Sequence, residues 1–136
     1  MKPIAVGQRH TLDFPTDESH TAANFGNAGV AVIATPVLVR FLESAALECL
    51  RQSCEEGEGS VGRFVKVRHL ASAPPGTVVA AQATVTRVVG CEVELALEAR
   101  AGDKLLMVGS HGRAVVQLAR FFAGRGLGPV TEGAPS

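Results

Sequence analysis

One segment of the chain is apolar around nearly its whole circumference when it is drawn as a helix. The apolar positions between residues 36 and 54 are Val37, Leu38, Val39, Phe41, Leu42, Ala45, Ala46, Leu47, Cys49 and Leu50. Thr35 and Pro36 stand where an N-cap and a first helical residue are favoured, and Gly57 follows where a helix would end. Since a helix that is apolar all round is buried all round, the pattern predicts one long central helix.

The other periodic segments predict β-strands separated by turns rich in Gly and Pro. The predicted strands cover residues 8–15, 61–73, 77–89, 92–100 and 104–122. Alternation is clearest in 92–100, where every second residue is apolar and those between are charged or small. Gly109 and Gly112 predict a bulge or bend within the last, unusually long strand. Residues 16–29 are rich in residue types that favour turns, so this segment is predicted to be a loop.

This order of elements predicts an α+β domain. One curved antiparallel sheet wrapped around one long helix would bury such a helix, and that architecture is the hotdog fold. We expect a single domain over residues 1–122 and a disordered tail over 123–136, which is rich in Gly and Pro. Covering the rest of the helix and the sheet edge usually takes a second copy of the chain, so a homodimer is expected.

Composition argues against several classes of function. The 13 basic and 13 acidic residues are scattered and balance, and the aromatic content of 4% is all Phe, so no nucleic-acid partner is expected. No apolar run approaches the roughly 20 residues that span a bilayer, and the N-terminus lacks a signal-peptide pattern, so we expect no membrane partner and a cytoplasmic chain. Three cysteines without CxxC spacing, and histidines without zinc-ligand spacing, predict no disulfide framework, no metal and no bound cofactor.

Glu43 is the first candidate for chemistry. On a helix it neighbours Val39, Arg40, Ala46 and Leu47, of which only Arg40 is charged. Glu48 has a more polar set of neighbours, so Glu43 is the carboxylate that we expect to be buried, and a buried carboxylate is a stronger base than one in water. The alternative is a solvated ion pair between Glu43 and Arg40.

Thr35 and His69 are the second and third candidates. Thr35 is either an ordinary helix cap or a hydroxyl placed near the positive end of the helix, where N–H groups stabilise an oxyanion. His69 shares a strand face with Val65 and Val67, so it is either a hydrogen-bonded core residue or a catalytic one. His10, His20 and His111 are weaker candidates.

A glycine-rich run, Gly57-Glu-Gly-Ser-Val-Gly62, precedes a predicted strand and does not match a P-loop. It is either a loop that enters the strand or a segment whose N–H groups line a site.

The residues together resemble the fluoroacetyl-CoA thioesterase-like family of hotdog thioesterases, over about residues 5–122. The likeness rests on Thr35 and Glu43 eight residues apart, the run ending at Gly62, His69 followed by Ala-Ser-Ala-Pro-Pro-Gly, and Gly-Ser-His-Gly-Arg113-Ala-Val-Val. It implies that Thr35, Glu43 and His69 form a catalytic triad and that Gly62 and Arg113 lie at the substrate. It further implies hydrolysis of an acyl-CoA thioester, with coenzyme A as part of the substrate, by a homodimer with its sites near the subunit interface.

One position departs from the family pattern. The fluoroacetyl-specific member carries a bulky aromatic gate where this chain has Gly29, so we expect a different short- or medium-chain acyl group. Two other hypotheses stay open at this stage. One is a hotdog hydratase or dehydratase, although the helix lacks a matching Asp-and-His motif. The other is a non-catalytic acyl-CoA-binding or dimerisation module.

Overall fold

The computed structural model describes residues 1–126, which form one five-stranded sheet, one long helix and one short helix. The elements are β1 (Arg9–Pro15), α1 (Thr35–Arg51), β2 (Glu58–His69), β3 (Val78–Val89), β4 (Glu92–Ala101), β5 (Lys104–Gln117) and α2 (Leu118–Ala123). Two single turns of 3₁₀ helix, Glu18–His20 and Ala22–Phe25, lie in the segment between β1 and α1. No helix within residues 1–126 is long and apolar enough to cross a membrane.

The sheet is antiparallel throughout, with the strand order β1-β3-β4-β5-β2. The helix α1 packs mainly against β3 and β1, and the sheet curves around it. This arrangement confirms the predicted α+β class and the hotdog fold. Strands β1 and β2 are the two edges of the sheet, so the backbone on one side of each is unpaired within the described chain.

The core lies between one face of α1 and the inner face of the sheet. Alternate residues of β4 are buried as predicted, and so are alternate residues of β3. The buried residues of α1 are Val37, Leu38, Phe41, Leu42, Ala45, Ala46, Cys49 and Leu50. Val39 and Leu47 are only half-buried, because they lie on a face of α1 that the sheet does not cover. The prediction of burial all round is therefore wrong for that face of the protomer.

Several predicted boundaries are wrong. The helix ends at Arg51 rather than at residue 54, and its N-cap is Ala34, without a side-chain hydrogen bond, rather than Thr35. Strand β5 ends at Gln117, where the chain turns into α2 instead of continuing as a strand to residue 122. Ala123, which was assigned to the tail, is the last residue of α2; the tail positions 127–136 lie outside the described residues.

Close packing between β2 and β5 explains two glycines that the sequence assigned to a bulge. A Cβ at Gly109 would overlap the backbone of Lys66 and Val67, and a Cβ at Gly112 would overlap the ring of Phe64. Near these glycines the extra residue lies on the partner strand, where the pairing register shifts between Gly62 and Phe64. The irregularity of β5 itself lies at Leu106, where the register with β4 shifts between Ala99 and Arg100. Glycine is therefore required in β5 by neighbouring atoms of β2, not by an unusual backbone angle.

Candidate active site

An open groove of about 770 Å³ runs along the uncovered face of α1. It is lined by Thr35, Pro36, Val39, Arg40, Glu43, Ser44, Leu47 and Arg113. Seven of these residues belong to α1, and Arg113 reaches the groove from β5. The groove thus contains the hydroxyl and the carboxylate that the sequence singled out, together with one buried cation.

The side chain of Thr35 is bonded across to the sheet. Thr35 Oγ1 and His69 Nδ1 lie 2.8 Å apart and share a hydrogen bond that joins the first residue of α1 to the last residue of β2. His69 pairs with Met107 in the ladder to β5 and is half-buried. A hydroxyl and an imidazole in contact can pass a proton between them. Thr35 is the first helical residue, one position after the N-cap Ala34, so its hydroxyl is available for this bond.

Glu43 lies in the middle of the groove. Its side chain keeps 42% of its exposure, so the predicted burial of this carboxylate is wrong. Its oxygen Oε2 lies 3.9 Å from Nη1 of Arg113, which is a long ion pair with β5 rather than the alternative pair with Arg40 on the same helix. A carboxylate with a fixed cation on one side and open space on the other can meet a ligand in the groove.

Arg113 is held from two sides by Ser60 of β2. Its Nε donates to Ser60 Oγ at 2.9 Å and its Nη2 donates to the Ser60 carbonyl at 2.8 Å. The residue is buried, and burial lowers the pKa of its guanidinium from the usual range, while the charge of Glu43 opposes that shift. These bonds compensate part of the cost of removing a charge from water. The Nη1 group has no bond to Ser60 and is the nitrogen that lies beside Glu43.

Gly62 is the point where these groups converge. A Cβ built on Gly62 would have Glu43 Oε2 at 3.5 Å, Arg113 Nη1 at 3.7 Å and His111 Cε1 at 3.7 Å as its nearest neighbours. The register shift between Gly62 and Phe64 leaves Arg63 outside the ladder with β5. The backbone of β2 therefore approaches the polar end of the groove closely, with no side chain in between.

His111 belongs to the same cluster, although the sequence ranked it among the weaker histidines. It is 1% exposed, its Nδ1 lies 2.8 Å from the carbonyl of Phe64, and its Nε2 lies 3.3 Å from Arg113 Nη1. Burial lowers the pKa of its imidazole, as does the charge of Arg113, whereas the bond to Phe64 and the charge of Glu43 oppose the shift. Its position two residues before Arg113 on a strand was the available signal, since such residues share one face.

The structure brings the predicted site residues together in two groups rather than one. Thr35 and His69 form the first group, and Glu43, Gly62 and Arg113 form the second. The eight residue steps from Thr35 to Glu43 correspond to about 12 Å along a helix axis, since each step rises about 1.5 Å. Both groups open onto the same groove. Among the described residues, no three His, Cys, Asp or Glu side chains cluster as metal ligands.

Comparison with known proteins places this chain in a family. Residues 16–119 match the family described as FlK: fluoroacetyl-CoA-specific thioesterase. The chain is 33% identical over 130 residues to the fluoroacetyl-CoA thioesterase of Streptantibioticus cattleyicolor, a match that covers 88% of this chain and 91% of that protein.

Solved structures give the same assignment. A solved structure of the fluoroacetyl-CoA thioesterase FlK superposes with a TM-score of 0.83 at 31% identity, covering 94% of this chain and 100% of that one. A thioesterase superfamily member from Thermus thermophilus superposes with a TM-score of 0.85 at 30% identity, covering 92% and 93% of the two chains. This chain therefore belongs to the fluoroacetyl-CoA-specific thioesterase family and is a thioester hydrolase.

Proposed function

We propose that the chain hydrolyses a short- or medium-chain acyl-CoA, with Thr35, Glu43 and His69 as catalytic residues and with Gly62 and Arg113 at the substrate. The observation that carries the proposal is the groove along α1, which contains Thr35 and Glu43 and is bounded at its start by the Thr35–His69 hydrogen bond. An acyl thioester laid along this groove meets a carboxylate and a hydroxyl–imidazole pair at separate points.

Glu43 acts on the acyl carbon. It either takes a proton from a water molecule that adds to the thioester carbonyl, or it adds to the carbonyl itself and forms an anhydride that water then hydrolyses. Its Oε2 lies 3.9 Å from Arg113 Nη1 and 3.5 Å from where a Cβ on Gly62 would sit, so the carboxylate lies beside β2 and β5. Backbone N–H groups beside Gly62, where the bulge interrupts the ladder, hold the oxyanion, and Arg113 supplies positive charge nearby.

His69 acts on the leaving group. When the carbon–sulfur bond breaks, the thiolate of coenzyme A takes a proton from the imidazole, and the products are a carboxylic acid and a free thiol. Thr35 fixes the orientation of the ring through the 2.8 Å bond to Nδ1, which leaves Nε2 as the nitrogen that faces the substrate. In this arrangement Thr35 orients His69 rather than Glu43.

The acyl group differs from fluoroacetyl because the chain has no aromatic gate at Gly29. The backbone of Gly29 has a φ of 82°, a left-handed conformation that an aromatic residue adopts only with strain. A Cβ there would meet no atom within 4 Å, so this stretch is open to solvent in the protomer. In the proposal, the absence of a side chain at Gly29 lets the chain accept a range of acyl groups instead of selecting one.

Free-thiol release from a panel of acetyl-, fluoroacetyl-, propionyl-, butyryl-, hexanoyl- and octanoyl-CoA tests both parts of the proposal. We expect turnover of several unfluorinated members and no preference for fluoroacetyl-CoA over acetyl-CoA. Strong selectivity for fluoroacetyl-CoA would overturn the substrate proposal and leave the thioesterase assignment intact.

A matched pair of variants tests the site. Glu43→Gln removes the carboxylate from the groove, whereas Glu48→Gln removes one from the same helix that is bonded to Arg51 at 3.0 Å. Removal of a catalytic carboxylate costs at least about 100-fold in kcat, and the control stays close to wild type. Equal activity of the two variants would show that Glu43 takes no part.

The proposal includes a homodimer with its sites near the subunit interface. Strand β2 is a sheet edge, and its Phe64 and Val65 are 45% and 41% exposed. Val65 pairs with the buried His111, so it lies on the inner face of the sheet that α1 leaves uncovered. Sedimentation equilibrium of the purified chain distinguishes a dimer from a monomer of 14.1 kDa.

A further inference from the structure

His111 uses both nitrogens of its ring, and only one protonation state satisfies both bonds. Nδ1 lies against the Phe64 carbonyl, which can only accept, so Nδ1 carries the proton and donates it. Nε2 lies against Nη1 of Arg113, which can only donate, so Nε2 accepts. The ring is therefore neutral, with its proton on Nδ1, at the pH at which these bonds are made.

We propose that His111 is a positioning residue that orients the Arg113 guanidinium toward Glu43 by accepting a hydrogen bond from Nη1. The inference rests on the proposed function, in which Glu43 and Arg113 act at the substrate. His111 itself is buried beneath Gly62 and Arg113 and does not line the main groove.

The geometry at Arg113 shows why an acceptor is needed there. Nε and Nη2 are fixed by Ser60, while Nη1 lies 3.3 Å from His111 Nε2 and 3.9 Å from Glu43 Oε2. The pair with Glu43 is too long to be a direct hydrogen bond. The 3.3 Å bond to His111 is therefore the closer of the two contacts, and it fixes the outer nitrogen of the guanidinium beside the carboxylate.

A histidine serves this purpose because it accepts a bond without bringing a charge. The charged groups that face it are Arg113 on its own strand and Glu43 on α1, while its partner on β2 is a backbone carbonyl and its neighbour on β4 is Leu95. A second carboxylate at this position would compete with Glu43 for Arg113. A protonated imidazole would lose its acceptor and repel the guanidinium.

Two substitutions separate the two bonds of His111. Glutamine places its amide oxygen near the position of Nε2, so His111→Gln keeps an acceptor for Arg113. Asparagine is shorter and places its amide near Nδ1, so His111→Asn keeps the bond to Phe64 and removes the acceptor.

Displacement of a catalytic group by about 1 Å lowers the rate about 100-fold. With the fastest substrate of the acyl-CoA panel, we therefore expect His111→Asn to lower kcat about 10- to 100-fold with little change in KM. His111→Gln should stay within about threefold of wild type.

A core variant controls for simple damage to the fold. Val85 is buried on β3, away from the site, and Val85→Ala leaves a cavity of two methyl groups. At an equal loss of melting temperature, His111→Asn should lower kcat more than Val85→Ala does. The positioning role is wrong if the two variants lower kcat equally, or if His111→Gln lowers kcat as much as His111→Asn.

NMR of the ¹⁵N-labelled chain tests the inference without turnover. In wild type the His111 signals should show a protonated Nδ1 and an unprotonated Nε2, and the Arg113 Nη protons should be resolved through slow rotation of the guanidinium. His111→Asn should collapse the Arg113 signals, and His111→Gln should keep them. A doubly protonated His111 at pH 7, or Arg113 signals that do not respond to either variant, would overturn the inference. If wild-type enzyme hydrolyses none of the panel, the proposed function fails, and these spectra still decide the role of His111.

Discussion

Thr35 Oγ1 and His69 Nδ1 lie 2.8 Å apart, although 34 residues separate them in the chain. The bond ties the start of α1 to the end of β2 at the mouth of the groove. A threonine one position earlier, at the N-cap, would accept a hydrogen bond from a backbone N–H of the first turn. Here the helix begins without a side-chain cap, and the hydroxyl is used for the imidazole instead.

Removing either Thr35 or His69 should slow the same catalytic step, the protonation of the leaving thiolate. Thr35→Ala frees the His69 ring to rotate, so we expect kcat to fall at least about 10-fold, while Thr35→Ser keeps the hydroxyl and most of the activity. Since the two residues act as a unit, the double variant of Thr35 and His69 to alanine should be no slower than His69→Ala alone. Steady-state kinetics of Thr35→Ala, His69→Ala and the double variant, each compared with wild type, complete this double-mutant cycle.

Ser44→Ala is the control for the threonine prediction. Ser44 lines the same groove, but its hydroxyl donates to the Arg40 carbonyl within the helix. Its loss should leave kcat close to wild type. Additive losses in the double variant would mean that Thr35 and His69 act in separate steps, and a loss in Ser44→Ala equal to that in Thr35→Ala would mean that the groove only binds.

The sequence predicted the fold well because the fold follows from local periodicity. The alternation in β4 and the apolar α1 segment determine which faces meet, and both are visible in a single chain. The exposure of Glu43 was not predictable, because it depends on the absence of sheet cover over one face of α1, which is a tertiary property. The end of β5 at Gln117 was missed for a related reason, since the following apolar residues suit a strand and a short helix equally.

The chemistry was predicted only in part. Thr35 and His69 each had an ordinary structural explanation, and only their contact across 34 residues distinguishes the pair. His111 was undervalued because its two partners, Phe64 and Arg113, become neighbours only after β2 pairs with β5.

Gly62→Ala tests whether the close backbone approach at the site serves the substrate. A Cβ would sit 3.5 Å from Glu43 Oε2 and 3.7 Å from Arg113 Nη1, which are ordinary contact distances, so the fold should tolerate alanine. The added methyl group would occupy space between the strand and the carboxylate. We expect an unchanged melting temperature and a rise in KM, measured with acetyl-CoA and octanoyl-CoA. Unchanged kinetics would place the substrate elsewhere along the groove.

Gly112→Ala should behave in the opposite way, with a large effect on stability. Its Cβ would overlap the ring of Phe64, which covers Gly112 on the outer face of the sheet. Overpacking of this kind costs about 1–3 kcal/mol. Urea denaturation should show that cost in the wild-type background and little of it in a Phe64→Ala background, where the ring is gone. An equal cost in both backgrounds would show that the ring is not the obstacle.

The stability of the chain should depend on pH through His111. Because burial lowers the pKa of this imidazole below the ordinary 6.5, the unfolded chain binds a proton in a range where the folded chain does not. Stability therefore rises with pH in this range, and the contribution is lost as the pH falls below about 6.5, at no more than about 1.4 kcal/mol per pH unit. The imidazole is 1% exposed, so solvent screens this effect little.

Urea denaturation of wild type and His111→Gln between pH 5 and pH 8 measures the difference in their free energies of unfolding, in which the titration of the surface carboxylates cancels. As the pH decreases through 6.5, the free energy of unfolding of the wild type should fall more steeply than that of the variant, since glutamine does not titrate. Parallel curves would show that the imidazole takes up a proton as readily in the folded chain as in the unfolded one.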